Sequence, residues 1–181
     1  MRILLVLWLL FAASGTVCAD TLHGVVIVVI DGDTVLFRPD HYSPGSRAFL
    51  KVRLADIDAP ETSQPFGEAA TEALKARVLK QRAQLDIVAI DAYGRKLGHL
   101  AVDARSINAD MVRHGLAWAY DSTRASARSG SESFRASARG TERHDMRALQ
   151  GEAQRERIGL WQDAAPTPPW VWRRAQSAPT Y

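Results

Sequence analysis

Two arginines and three acidic residues sit where this chain bends. Asp33 follows the turn-forming pair Asp31-Gly32, and Asp58 and Glu61 flank Ala59-Pro60. Arg53 is lodged in the otherwise largely apolar run 49–57, and Arg95 follows Tyr93-Gly94. Hard carboxylate oxygens such as those of Asp33 and Asp58 suit Ca²⁺ or Mg²⁺, as does a backbone carbonyl at the Ala59-Pro60 turn. An arginine presents a fixed fork of donors that matches a phosphate in bidentate fashion, so two of them can grip one phosphodiester from two sides. A carboxylate beside a metal, in the position of Glu61, can orient or deprotonate a water. Together these are the parts that stabilise added negative charge on a phosphorus under attack.

Taken singly, each residue has a plainer explanation. Asp31-Gly32 is a turn, and no other role is assigned to it. Asp33 can be a solvated charge at a strand start, and Asp58 and Glu61 can be turn formers beside Pro60. Arg95 can be surface decoration. Arg53 is harder to set aside, because Val52 and Leu54 imply burial and a buried arginine needs a partner. The five histidines, among them His23, His99 and His114, are scattered and read as structural. The single cysteine is Cys18, so no disulfide framework or thiolate metal site can form, and softer metals are disfavoured.

The elements that must position these residues follow from the apolar periodicity. Residues 21–30, rich in Val and Ile, read as a strand, and a turn at Asp31-Gly32 leads to a second over 33–37. A third strand is expected over about 48–57 and ends before Pro60, which lacks an N–H donor. Apolar residues at Phe66, Ala70, Ala73, Leu74 and Val78 have helical spacing. Strands over 84–90 and 95–102 are joined by Asp91-Ala92-Tyr93-Gly94. Ser106 can cap a short helix that stops at Gly115, and 141–157 regains helical periodicity. Five short strands with a helix after the third suit a five-stranded OB-type Greek-key barrel, in a mainly β, α+β chain with about three helices.

With 181 residues, 46% hydrophobic and 24% charged, the chain is long enough for one domain with a true core, and bulk disorder is not expected. Its net charge of +3 is compatible with an anionic partner but does not by itself point to one. Residues 1–19 combine a positive start, an apolar stretch too short to span a bilayer and the small-x-small ending Val17-Cys18-Ala19. That pattern reads as a secretory signal peptide cut after Ala19, which makes the mature protein exported, periplasmic or secreted, with no membrane segment left. Residues 20–162 are then the folded domain. Within it 121–140 form a basic low-complexity insertion rich in Ser, Arg, Ala and Gly. Residues 163–181 are a Pro/Trp-rich tail, expected to be extended and packed on the surface.

The strings Ile30-Asp31-Gly32-Asp33-Thr34, Arg53-Leu54-Ala55-Asp56-Ile57-Asp58-Ala59-Pro60-Glu61 and Asp91-Ala92-Tyr93-Gly94-Arg95 together resemble the staphylococcal nuclease (thermonuclease) family. Further likeness lies in 107–117 and 152–161, so that it spans roughly 22–120 and 141–162. Position by position, the resemblance implies that Asp33 and Asp58 are calcium ligands, with the Ala59 carbonyl beside them. It implies that Glu61 is the general base and that Arg53 and Arg95 are the phosphate-binding arginines. It implies, too, a monomeric Ca²⁺-dependent endonuclease that hydrolyses DNA and RNA and leaves 3′-phosphate ends. Tyr93 and Tyr120 are weaker candidates for substrate contact. The chain departs from the family in its short loop 62–67 and in Ala92, where a basic residue is common. The competing expectation is a non-catalytic OB-fold module that binds nucleic acid without cutting it.

Overall fold

The computed structural model describes residues 21–41, 48–120 and 145–177. The expected signal peptide and basic insertion therefore lie outside the described residues. Five strands close into a barrel: β1 (Thr21–Asp31), β2 (Thr34–Pro39), β3 (Leu50–Leu54), β5 (Arg82–Ile90) and β6 (Lys96–Val102). β1 is long enough to serve two neighbours. It pairs antiparallel with β2 through Gly24↔Pro39 to Asp31↔Thr34, and with β5 through Thr21↔Asp86 to Val25↔Arg82. Bulges between Val26 and Val28 and between Val29 and Asp31 give it the curvature this requires. β3 joins β2 antiparallel and β6 parallel, the latter through Val52↔Lys96, Arg53↔Leu97 and Leu54↔Gly98, which shuts the ring.

Inward-facing side chains fill the barrel. Val26, Val35, Phe37, Val52, Leu54, Leu85 and Leu100 are all buried, as alternation along the strands demands. Helix α1 (Gly67–Val78) adds Ala70, Leu74 and Val78 to this core, and α2 (Ile107–Arg113) adds Ile107, Met111 and Val112. Ser106 caps α2 through the Ala109 N–H, and Gly115 follows its end at a φ of 61°. The buried Asn108 donates to the Ala55 and Gly98 carbonyls and accepts from the Leu100 N–H. One amide thus ties the exit of β3 to β6.

Two short strands leave the ring, β4 (Ile57–Asp58) and β8 (Trp118–Ala119), which pair so that Asp58 lies opposite Trp118. A third, β7 (Arg105–Ser106), extends β6. Asp145 caps α3 (Met146–Arg155), whose Ala153 packs with Leu160 and Trp161 of the 3₁₀ turn Gly159–Gln162 in a second small cluster. The described residues hold four α-helices, the last being α4 (Pro169–Gln176).

Three expectations are corrected. The third strand stops at Leu54 rather than Ile57, because Asp56 turns left-handed at a φ of 61° and Ile57–Asp58 continues as the separate β4. The first hairpin turn is centred on Gly32-Asp33, which moves Asp33 out of the strand and into the turn. Gly32 is not needed there for a left-handed φ; a Cβ on it would come within 2.7 Å of Ala59 Cβ and 2.9 Å of Ala70 Cβ. Finally, the tail is not extended: Pro169 occupies the first turn of α4, where its fixed φ and missing N–H favour a helix.

Candidate active site

The β2–β3 ladder pairs Thr34 with Arg53, which brings the Gly32-Asp33 turn beside the arginine. Asp58 arrives from the other side on β4. Both carboxylates are buried, Asp33 with 3% of its surface exposed and Asp58 with none. Arg53 bridges them: Nη1 donates to Asp33 Oδ1 at 3.0 Å and Nη2 to Asp58 Oδ1 at 2.6 Å. Asp33 also accepts from the Thr34 hydroxyl at 2.9 Å and, through Oδ2, from the Ala59 N–H at 3.0 Å. The Ala59-Pro60 bend is thereby fixed against the first turn.

Charge and burial pull these groups in opposite directions. Burial pushes the Asp33 carboxyl up to about 7, opposed by the Arg53 guanidinium and reinforced by the nearby Asp31 and Asp58 charges. For Arg53, burial alone acts to lower the pKa, but Asp33 and Asp58 more than offset it, so the guanidinium is held above its usual value. A permanent cation between two buried anions is what makes the arrangement tolerable.

Glu61 stands at the edge of this cluster with 37% of its side chain exposed. The short loop after it folds back on itself: the Glu61 N–H donates to Gln64 Oε1, and the Gln64 N–H returns a bond to the Glu61 carbonyl. Gly67, which opens α1, approaches so closely that a Cβ on it would lie 1.8 Å from the Glu61 carbonyl oxygen.

The remaining expected residues lie apart. Arg95 is bound by Asp91, with Nε on Oδ2 at 2.6 Å and its backbone N–H on Oδ1, and its guanidinium lies 5.6 Å from the centre of the exposed Tyr93 ring. Burial tends to raise the Asp91 pKa, but hydrogen bonds from Arg95 and Tyr93 outweigh it and lower the carboxyl below its usual range. Arg95 immediately precedes Lys96, the ladder partner of Val52, so it leaves the barrel one strand from Arg53 without joining its cluster. Tyr120 donates its N–H to the Asp56 carbonyl, and its ring stands 6.0 Å from that of Trp170.

The sequence reading missed Arg173. From α4 its Nη2 donates to Asp58 Oδ2 at 2.8 Å, and its Nη1 donates to Glu61 Oε1 at 2.7 Å and to Asp58 Oδ1 at 3.2 Å. The bonds from Asp58 and Glu61 raise its pKa further, against the effect of burial. A usable signal was present in the sequence. A helix started by Pro169 puts Trp170 and Arg173 on one face, three residues apart.

The donor set fits a hard divalent cation: two buried carboxylates, a backbone carbonyl bend between Asp58 and Glu61, and no thiolate among the described residues. Among the described residues no three His, Cys, Asp or Glu side chains are gathered closely enough to hold a metal by themselves. Carbonyl and water oxygens would have to complete the shell.

Comparison with known proteins agrees with this geometry. Residues 51–163 match the family described as staphylococcal nuclease homologue. The chain is 36% identical over 157 residues to a protein of Escherichia coli O157:H7 named an uncharacterized endonuclease, covering 86% of this chain and 87% of that one. It is 35% identical over 167 residues to a micrococcal nuclease of Shigella flexneri, covering 87% and 84%. A 38% identity over 162 residues relates it to Protein ParB of Escherichia coli, covering 84% and 80%. With the closed barrel and the Asp33–Arg53–Asp58 cluster in the same chain, these matches make it a member of the staphylococcal nuclease family.

Proposed function

We infer that this protein is a calcium-dependent nuclease that hydrolyses phosphodiester bonds in DNA and RNA and leaves 3′-phosphate ends. The observation that carries the reading is the pair of buried carboxylates, Asp33 and Asp58, held by Arg53 with Glu61 at their edge. Asp33, Asp58 and the Ala59 carbonyl would hold the calcium ion. When bound, it supplies positive charge to a phosphoryl oxygen. Arg53 binds the scissile phosphate and favours the charge that builds on it. Glu61 orients a water and takes its proton as the new P–O bond forms and the bond to the 5′-oxygen breaks; the departing oxygen acquires a proton from solvent. Arg95 serves as the second phosphate arginine once its guanidinium leaves Asp91. Tyr93, at the exposed tip of the same hairpin, and Tyr120 offer aromatic faces to bases.

The signal pattern in residues 1–19 supports export to the periplasm or beyond, and no helix among the described residues is long and apolar enough to cross a membrane. A monomeric working unit is what the family resemblance implies.

The purified protein is expected to cleave single-stranded DNA with calcium and to stop when excess chelator is added. Binding without cleavage by well-folded protein would make this a nucleic-acid-binding barrel instead. Replacing Gly67 with alanine is expected to cut turnover by about tenfold to a hundredfold, because the added methyl must displace the Glu61 backbone by an ångström or more. Steady-state kinetics beside a melting curve would check this; a fully active variant would show that the Glu61 loop needs no fixed position.

A further inference from the structure

The C-terminal helix does more than cover the barrel. Trp170 packs edge-on against Trp118, with ring centres 5.6 Å apart, and Trp118 is the ladder partner of Asp58. On the other flank, Gln64, in the loop after Glu61, donates to the Thr167 carbonyl just before α4. The start of the helix is therefore fastened to the segments that carry Asp58 and Glu61, and Arg173 follows about one turn later.

Its guanidinium takes up the oxygens that a cation would need. Asp58 Oδ2 accepts from Arg173, Asp58 Oδ1 accepts from Arg53 and Arg173 together, and Glu61 Oε1 accepts from Arg173. Asp58 Oδ2 is the oxygen of that carboxylate which Arg53 leaves open, so with Arg173 on it a cation meets a second positive charge and fewer free lone pairs there. The two arginines also differ in how firmly they are held. Arg53 is built into a barrel strand with 17% of its side chain exposed, whereas Arg173 has 42% exposed on an eight-residue helix near the end of the chain. Closure of α4 carries a penalty of its own, because the buried Trp172 indole N–H finds no hydrogen-bond partner among the described residues.

We propose that Arg173 is an internal competitor for the divalent cation, and that α4 is a latch which keeps Asp58 and Glu61 occupied until cation concentration is high enough to displace it. This rests on the cation reading of the same site. In the latched form one oxygen of Glu61 is engaged by a guanidinium, which competes with the water it would orient. Cation loading and release of Glu61 are then coupled, so that Arg173 lowers the apparent affinity for the cation and sets the concentration range over which the site fills.

The test is calorimetric titration of the whole protein with calcium, comparing wild type with Arg173→Gln. The variant is expected to bind calcium about tenfold more tightly, within the range usual for coupled sites. Its melting temperature without calcium should fall, because Asp58 loses a partner, while the calcium-loaded melts should coincide. Trp170→Ala loosens the latch without touching any charge and should tighten calcium binding a few-fold, which keeps the test open if Arg173→Gln folds poorly. Equal or weaker calcium affinity in the folded variants overturns the latch alone. No calcium binding by wild type or either variant overturns both the latch and the metal reading beneath it.

Discussion

Arg53→Gln is expected to leave a protein that is barely stable and inactive. The substitution removes the barrel-borne cation that bridges two carboxylates with almost no contact with water. Breaking a buried ion pair from one side costs about 3–5 kcal/mol, a large share of the roughly 5–15 kcal/mol that holds a domain together. The part of the Asp33 shift caused by Asp31 and Asp58 would then act without the opposing guanidinium. Urea unfolding without calcium should show the loss directly. Arg53→Lys separates the two roles of the residue: it keeps a charge between the carboxylates but not the planar fork that can also grip a phosphate. The lysine variant should recover much of the stability yet remain about a hundredfold to a thousandfold slower, the usual loss when one charge-stabilising donor is removed. A lysine variant with normal turnover would mean that Arg53 is a structural residue and that the phosphate is held elsewhere.

Glu61→Gln should show the reverse pattern, with a fold left intact and chemistry lost. Glu61 is partly exposed and its carboxylate pairs only at the surface with Arg173, so its contribution to stability is expected to stay below about 1 kcal/mol. As the proton acceptor it should matter by about a hundredfold to ten-thousandfold in turnover. The glutamine is nearly isosteric and still accepts a hydrogen bond, but it cannot take the proton. Turnover within a few-fold of wild type at every pH would move the base to another group.

Much of this site could be read from residue types, because its members are forced into view by local conflicts. An arginine between Val52 and Leu54 has no reason to be there without a partner, and carboxylates at Asp33, Asp58 and Glu61 cluster at bends that strands cannot accommodate. The barrel was legible for the same reason: alternation along the strands fixes which side chains face inward. What could not be read was reach. Arg173 lies 115 residues from Asp58 and 112 from Glu61, and no periodicity connects them. The prolines ahead of it suggested an extended tail, whereas Pro169 begins a helix. Arg95 shows a related limit. Its place on the β5–β6 hairpin was visible, but its pairing with Asp91 depends on side-chain rotation and not on spacing.

The short parallel seam between β3 and β6 has a consequence for when the protein acquires its chemistry. Arg53 is the middle residue of that seam, and its ladder partner Leu97 is 44 positions further along the chain. Contacts between such distant positions require a long loop to be closed before they return any energy, so they tend to be made late as a chain folds. Asn108, which fastens the exit of β3 to β6, comes later still in the sequence. The Arg53–Asp33 and Arg53–Asp58 pairings span only 20 and 5 residues, but the backing that β6 and Asn108 give to β3 comes only once the ring has shut. A half-folded chain can therefore bring these side chains together on the β2–β3 hairpin and still lack the closed barrel that holds them in place.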